Sequence, residues 1–270
     1  MLGKLIKYET KATGRTLLPL YAALLIFALI NKIFMNNDFS IIDRNTLGGV
    51  PAMLSIFAYI ATMVAIFVVT FFVIIQRFYK NILGDEGYLM HTLPVHPWQN
   101  ITSKLLVGII WIIVSGIVAI LSVLILAFNS NALNPNLFRD ISEGFSYFYA
   151  QYGVSGYMIG LEFIIAALLQ IAVGIIMIYA SISIGHLFNK RRILSSFGAF
   201  IVLNIIMNAI TSTIAIVFSD KYSSSMISWN ISSINQAHVI FIGAIIINVL
   251  FFICYFLITN YIIKNKLNLE

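Results

Sequence analysis

K-L-L-V-G-I-I-W-I-I-V-S-G-I-V-A-I-L-S-V-L-I-L-A-F, residues 104–128, carries a charge at its first position, Lys104, and none after it. A spanning helix needs about 20 apolar residues to cross a hydrocarbon core of about 30 Å, and this stretch supplies them. Polar and apolar residues do not alternate with period two, so a barrel strand is excluded. Outward from it, five further segments read the same way, at 17–35, 50–76, 157–184, 194–218 and 239–263. Pro19, Gly108, Gly116 and Gly174 fall inside these runs and are tolerated in helices surrounded by lipid.

The composition agrees. Of 270 residues, 60% are hydrophobic and only 10% charged, against about 25% charged in a soluble domain. Mean hydropathy is +0.97. Too few charges remain to coat a water-facing surface, which excludes a soluble globular protein, a disordered chain, a collagen and a coiled coil. The expected architecture is an all-α membrane protein with six transmembrane helices, filling residues 1–270 as a single domain. No extramembrane domain with a core of its own fits beside them. Cys254, the single cysteine, lies in an apolar run and reads as a small buried hydrophobe.

Charge placement orients the spans. With the N-terminus inside, the inner loops hold Lys4, Lys7, Lys11, Arg15, Arg77, Lys80, Lys104, Lys190, Arg191, Arg192, Lys264 and Lys266. The outer loops hold Lys32, Arg44, Arg139 and Lys221. This bias places both termini in the cytoplasm. It also assigns the net charge of +6 to a membrane face and not to nucleic acid. The first segment is too long for a signal peptide and lacks a cleavage site, so it reads as a retained signal anchor. Trp98 and Trp111 bracket the inner end of the third span, and Trp229 precedes the sixth on the outer side. All three read as interfacial anchors.

Between the spans, residues 1–16 are amphipathic. Leu2, Leu5, Ile6 and Ala12 share one side and Lys4, Lys7, Lys11 and Arg15 the rest, the pattern of a helix lying along the inner interface, in contact with membrane lipid. The inner loop 77–103 is neither a charged tether nor a span. Gly84 and Gly87 flank Asp85 and Glu86; Tyr88, Leu89 and Met90 follow, then Pro94 and Pro97. Pro97 suits the first turn of a helix running through Trp98 and Lys104 into the third span. Such a loop is a handle for a soluble partner. Outside, an aromatic run (Phe145, Tyr147, Phe148, Tyr149, Tyr152) rests at the interface, and residues 219–238 form a re-entrant-like loop dotted with Met226, Ile227 and Trp229.

Polar groups inside the spans are the candidate functional residues. Glu162 lies in the fourth span, roughly 7–8 Å from its outer end. It fits a structural or interfacial pairing, or an outer gate that meets substrate. Ser55, Tyr59, Thr62 and Thr70 fall within about 80° on the second helix, and Asn204, Asn208, Thr211 and Ser212 within about 100° on the fifth. Such stripes either glue helices together by hydrogen bonds or line a polar route. Gln170 and Asn248 stand on the fourth and sixth helices.

No G-x-x-x-x-G-K-[ST], H-E-x-x-H or C-x-x-C occurs, so the chain has no P-loop of its own and no recognisable zinc site. His91, His96, His186 and His238 lack metal-ligand spacing and read as loop residues. No intramembrane dyad suggests a hydrolase. No metal, catalytic residue or bound cofactor is expected, and the chain is read as no enzyme.

The stretch G-D-E-G-Y-L-M-H-T-L-P-V-H-P-W-Q-N-I-T-S-K-L-L resembles the segment between spans two and three of bacterial type-2 ABC exporter permeases. The resemblance rests on Leu93, Pro94 and Val95, followed by Ser103, Lys104, Leu105 and Leu106. The N-terminal L-G-K-L-I-K-Y-E-T-K-A-T-G-R-T-L-L-P-L-Y and the turn G-H-L-F-N-K-R-R, Gly185 to Arg192, are similar to the corresponding parts of such permeases. His96-Pro97 departs from the Ser-basic pair of many members. The resemblance implies a bacterial cytoplasmic membrane subunit that pairs with a second permease chain, as homodimer or heterodimer. Each permease chain would dock a separate cytoplasmic ATPase that binds ATP and magnesium. It implies ATPase coupling through Asp85, Glu86, Tyr88, Leu89, Met90, Pro94 and Trp98. It also implies a translocation route along Ser55, Tyr59, Thr62, Asn204, Asn208 and Thr211. Family substrates span antimicrobial peptides, drugs, lipids and polysaccharides. A non-transporting membrane sensor or assembly scaffold, docking a partner on the same loop, is the alternative.

Overall fold

The computed structural model describes residues 2–36, 49–83, 96–127, 137–188, 191–222 and 234–266. Those residues are helical almost throughout, and six helices are long and apolar enough to cross a membrane. They are α1 (Leu2–Asn36), α2 (Gly49–Phe78), α3 (Pro97–Ala127), α4 (Leu137–Gly185), α5 (Arg192–Tyr222) and α6 (Ile234–Asn265). The multi-pass reading of the hydropathy is therefore met. A wider π-helical turn, Tyr79–Leu83, continues α2.

Element ends differ from the sequence expectation in three places. Residues 1–16 do not form a helix of their own. From Leu2 onward they run unbroken into the first span, with Pro19 inside the helix, giving a rod of about 52 Å. Proline costs one carbonyl its partner there, and nothing else interrupts the backbone. The fourth helix starts well before residue 157, at Leu137, and changes direction at Gly153, where φ is 57°. The 219–238 loop is shorter than expected, because α5 runs to Tyr222 and α6 begins at Ile234. Met226, Ile227 and Trp229 lie outside the described residues.

The chain divides into two compact units. Unit 1 comprises residues 1–77 and 106–144. Its core is a seam of Leu17, Tyr21, Leu24 and Ala28 on α1, Tyr59, Ile66 and Val73 on α2, and Val107 and Trp111 on α3. The spacing of three, four or seven residues keeps each set on one helical face, so the three helices mesh side by side. Trp111, expected as an interfacial anchor, is a buried member of this seam. Its indole N–H reaches a partner inside the protein and has no need of the head groups.

Unit 2 comprises residues 78–105 and 145–270. Its most buried surface is the second half of α4, with Val173, Ile176, Tyr179 and Ala180 essentially inaccessible. Phe78 stacks on Tyr179 with ring centroids 3.9 Å apart and planes 6° from parallel. Tyr79 tilts against His186. By contrast none of the most apolar window of α5 is buried, and only 6% of that of α6. These two helices present their sides to whatever surrounds the chain. Cys254 on α6 is exposed, contrary to the buried reading. Apolar residues need no protein cover where the solvent is itself hydrocarbon.

Candidate functional site

The two polar stripes are the natural place to look for a route. On α2 the side chains of Ser55, Tyr59 and Thr70 turn toward neighbouring helices of unit 1. Ser55 Oγ donates to Asn31 Oδ1 at 2.8 Å, and Asn31 Nδ2 returns a bond to the Ser55 carbonyl at 3.0 Å. Tyr59 and Ser122 share a hydroxyl bond of 3.0 Å. Thr70 lies 2.9 Å from Ser115 Oγ, which also meets the Tyr21 hydroxyl at 2.8 Å. Thr62 bonds back to the carbonyl of Ala58. Tyr59, Thr70, Ser115 and Ser122 are buried. This stripe therefore joins α1, α2 and α3 at three levels, each bond standing in for water that hydrocarbon cannot supply.

At one end of unit 1 the same pattern continues. The Trp111 indole donates to Thr13 Oγ1 at 2.6 Å. Glu9, a carboxylate only 7% exposed, lies 3.9 Å from the Arg77 guanidinium, an ion pair rather than a hydrogen bond. The amphipathic start of α1 is thus held by α2 and α3 on its Glu9–Thr13 side. Asn31, Ser115, Ser122 and Tyr21 carry these contacts, and reading the sequence did not single them out. The signal was available: a tyrosine hydroxyl in a span requires a partner, and Ser115 and Ser122 are seven residues apart on one helix face.

On α5 the outcome is different. Asn208 Nδ2 donates to Asn204 Oδ1 at 2.6 Å and to the Asn204 carbonyl at 2.9 Å. Thr211 and Ser212 bond to the carbonyls of Met207 and Ala209. Asn208, Thr211 and Ser212 are exposed and Asn204 half-buried. The stripe satisfies part of its capacity within its own helix and keeps its amide and hydroxyl edges on the surface of the chain. An amide offers two acceptor sites and two N–H donors, so capacity is left over for another polar surface.

Glu162 on α4 meets His238 on α6, with Oε1 2.8 Å from Nδ1. Both side chains are largely covered, and the second carboxylate oxygen, Oε2, is buried without a hydrogen-bond partner. The sequence placed His238 in an outer loop; the earlier start of α6 carries it onto the helix, opposite Glu162. Gln170 is exposed.

Trp98, in the first turn of α3, is 44% exposed. Asp85, Glu86, Tyr88, Leu89, Met90 and Pro94 lie outside the described residues, as does His91. Beside the turn that ends α4, burial and, secondarily, the charge of Arg192 lower the His186 pKa from its ordinary value. Among the described residues no group of three His, Cys, Asp or Glu side chains is placed to hold a metal ion.

No family model, no characterised protein and no solved structure matches this chain. The functional reading rests on its own residues.

Proposed function

We propose that the chain is the membrane-spanning permease subunit of an ATP-driven ABC exporter. It would move substrate outward by alternating access and be powered by a separate ATPase subunit in the bacterial cytoplasmic membrane. The observation that carries this reading is the α5 face. Asn204, Asn208, Thr211 and Ser212 form a polar strip on a helix with none of its most apolar window buried. A lone subunit holds that strip against hydrocarbon, where leftover hydrogen-bonding capacity is costly. Pairing with a second permease chain turns two such strips toward each other and encloses a polar, uncharged route suited to an amphipathic cargo.

Three sequence features support the rest: the resemblance of the 77–103 loop and the N-terminal segment to type-2 permeases, the basic inner loops, and the absence of a P-loop. In this reading ATP and magnesium belong to the partner. Asp85 to Pro94 together with Trp98 form the coupling surface. The α2 residues Ser55 and Tyr59 act mainly by holding α2 in place, Thr62 bonds within its own helix, and α5 carries the larger part of the route. Glu162, paired with His238, is the outer gate candidate.

The test is co-purification with an ATPase in mild detergent, followed by ATP-dependent transport in vesicles. Asn208→Leu should lower transport about tenfold, as expected when about 1.4 kcal/mol of polar contact is lost. ATPase docking should persist. Deleting Asp85 to Met90 should abolish docking. Intact docking and transport in the deletion would sink the coupling assignment. ATP hydrolysis with no substrate movement under any cargo tested would instead favour a sensor or scaffold.

A further inference from the structure

The first part of α4 precedes the apolar run read from the sequence at 157–184. Leu137–Tyr152 is helical, but at Gly153 the backbone takes φ 57° and ψ −146° before the helix resumes. This is a conformation that side-chain-bearing residues rarely adopt. Phe145, Phe148, Tyr149 and Tyr152 follow at i, i+3, i+4 and i+7, within about 100° of arc. Arg139, Glu143, Tyr147 and Gln151 fall by the same spacing on the other side. Phe145 and Tyr149 are 61% and 53% exposed, and Arg139 donates to Glu143 at 2.7 Å on an exposed surface.

The turn is fixed by packing. Phe148 lies against Gly156, where an added Cβ would come within 2.6 Å of the ring. Phe148 also meets Tyr152 edge-on at 5.0 Å and Tyr157 at 6.4 Å, and Tyr149 meets Tyr157 at 5.9 Å. Two glycines with different requirements therefore make one elbow: Gly153 for its dihedral angles and Gly156 for its lack of a side chain. The rings pack across the elbow. A straight continuation of α4 would carry the aromatic stripe away from the membrane along the helix axis. The bend makes it possible to lay the stripe along the surface.

We propose that Leu137–Tyr152 is a lipid-binding helix seated in the membrane–water boundary at the N-terminal end of the α4 span. Phe145, Tyr149 and Tyr152 enter the region between acyl chains and head groups, where aromatic rings are preferred. The occupant of this face is the bilayer and not a protein, for three reasons on the molecule itself. The stripe is aromatic with tyrosine hydroxyls, as the boundary favours. It is joined through a packed elbow to a helix apolar enough to span. And its charged residues, Arg139, Asp140 and Glu143, line the opposite side. These three sum to a formal charge of −1, so the seat depends on apolar contact and not on attraction to anionic head groups.

The test uses the full chain in vesicles, with Cys254→Ala to remove the single native cysteine. Single cysteines at positions 142 to 152, omitting the elbow-packing residue 148, receive a nitroxide label. Collision with oxygen, which concentrates in lipid, is compared with collision with a water-soluble nickel chelate. Oxygen access should peak at 145, 149 and 152, and nickel access at 143, 147 and 151, with several-fold swings in their ratio. The pattern should be the same in pure phosphatidylcholine and in vesicles with added phosphatidylglycerol. Gly153→Leu should erase the oscillation while the chain still inserts. High nickel access at every position would overturn the proposal by placing the helix in water. A stripe shielded from both reagents would overturn it by showing a protein cover. An oscillation that requires phosphatidylglycerol would overturn the apolar mode of seating.

Discussion

On α2, the hydroxyls of Ser55, Tyr59 and Thr70 reach across to Asn31, Ser122 and Ser115 on neighbouring helices. On α5, Asn208 bonds to Asn204 one turn back, and Thr211 to the carbonyl of Met207. The two stripes have nearly the same spacing along their helices, yet one is inside its unit and the other on the outside of its own. The difference teaches that polar residues at helical spacing identify a face but not its neighbour. In water, burial follows from hydrophobicity. In hydrocarbon, an apolar face meets lipid or protein with similar ease, and a polar face is held by whichever partner is within reach.

Substitutions separate the two cases, and the largest effect belongs to α3. Ser115 is fully buried and serves both Tyr21 and Thr70. Ser115→Leu removes both interhelical bonds at about 1 kcal/mol each and overfills the seam at a further 1–3 kcal/mol or so. Thermal unfolding in detergent should show a loss of several degrees, and an unchanged midpoint would mean that the α2 stripe is not the glue described above. Trp111→Phe comes next. It keeps the ring packing and deletes the bond to Thr13, a loss of about 1 kcal/mol.

Glu162 and His238 form a case between the two, within unit 2. A double-mutant cycle with Glu162→Gln and His238→Ala should give a coupling of about 1 kcal/mol or less; additive effects would show that their 2.8 Å contact contributes nothing. A smaller effect concerns His186, whose pKa is lowered by burial first and then by Arg192. The unfolded chain takes up this proton more readily than the folded one, so stability is fully present above the unfolded pKa of about 6.5. It declines as pH falls below that value. The ring is part-exposed and solvent-screened, so His186→Asn should flatten the acid limb of the midpoint–pH curve by about 1 °C. Last, Asn208→Leu should leave the midpoint of the isolated subunit within about 0.5 kcal/mol of the parent. A large destabilisation there would place α5 on the same footing as α2 and end the contrast.

All six helices were legible in the sequence because hydropathy is local: each span states its own length. What the sequence did not fix involves neighbours. Lys4, Lys7, Lys11 and Arg15 against Leu2, Leu5, Ile6 and Ala12 made the start of α1 read as a surface segment, whereas Arg77 and Trp111 hold it to the bundle through Glu9 and Thr13. Trp111 matched the composition of an interfacial belt, and only the seam of α1 and α3 shows it to be inside. Cys254 lies in a run that would be core in water and faces outward here. The elbow at Gly153 escaped notice for another reason: glycine is common in membrane helices, and only the backbone angle distinguishes this one. Of the candidate sites, the two stripes were legible as faces and Glu162 as an unusual charge. The partner of Glu162 was not, because His238 falls at a helix end whose position depends on where α6 begins.

The unbroken α1 has a mechanical consequence. Leu2–Asn36 is one continuous helix whose weak point is Pro19, two residues before Tyr21, which is tied to Ser115 near the middle of the helix. About 28 Å of rod lies on one side of that tie and about 22 Å on the other. Unless the helix bends at Pro19, a sideways push on the first turns passes undiminished to the tie. It must either break the tie or swing the far end in the opposite direction by nearly the same amount. The N-terminus of this protein is thus a lever arm with a fulcrum of two hydroxyl groups, and whatever grips one end also addresses the other.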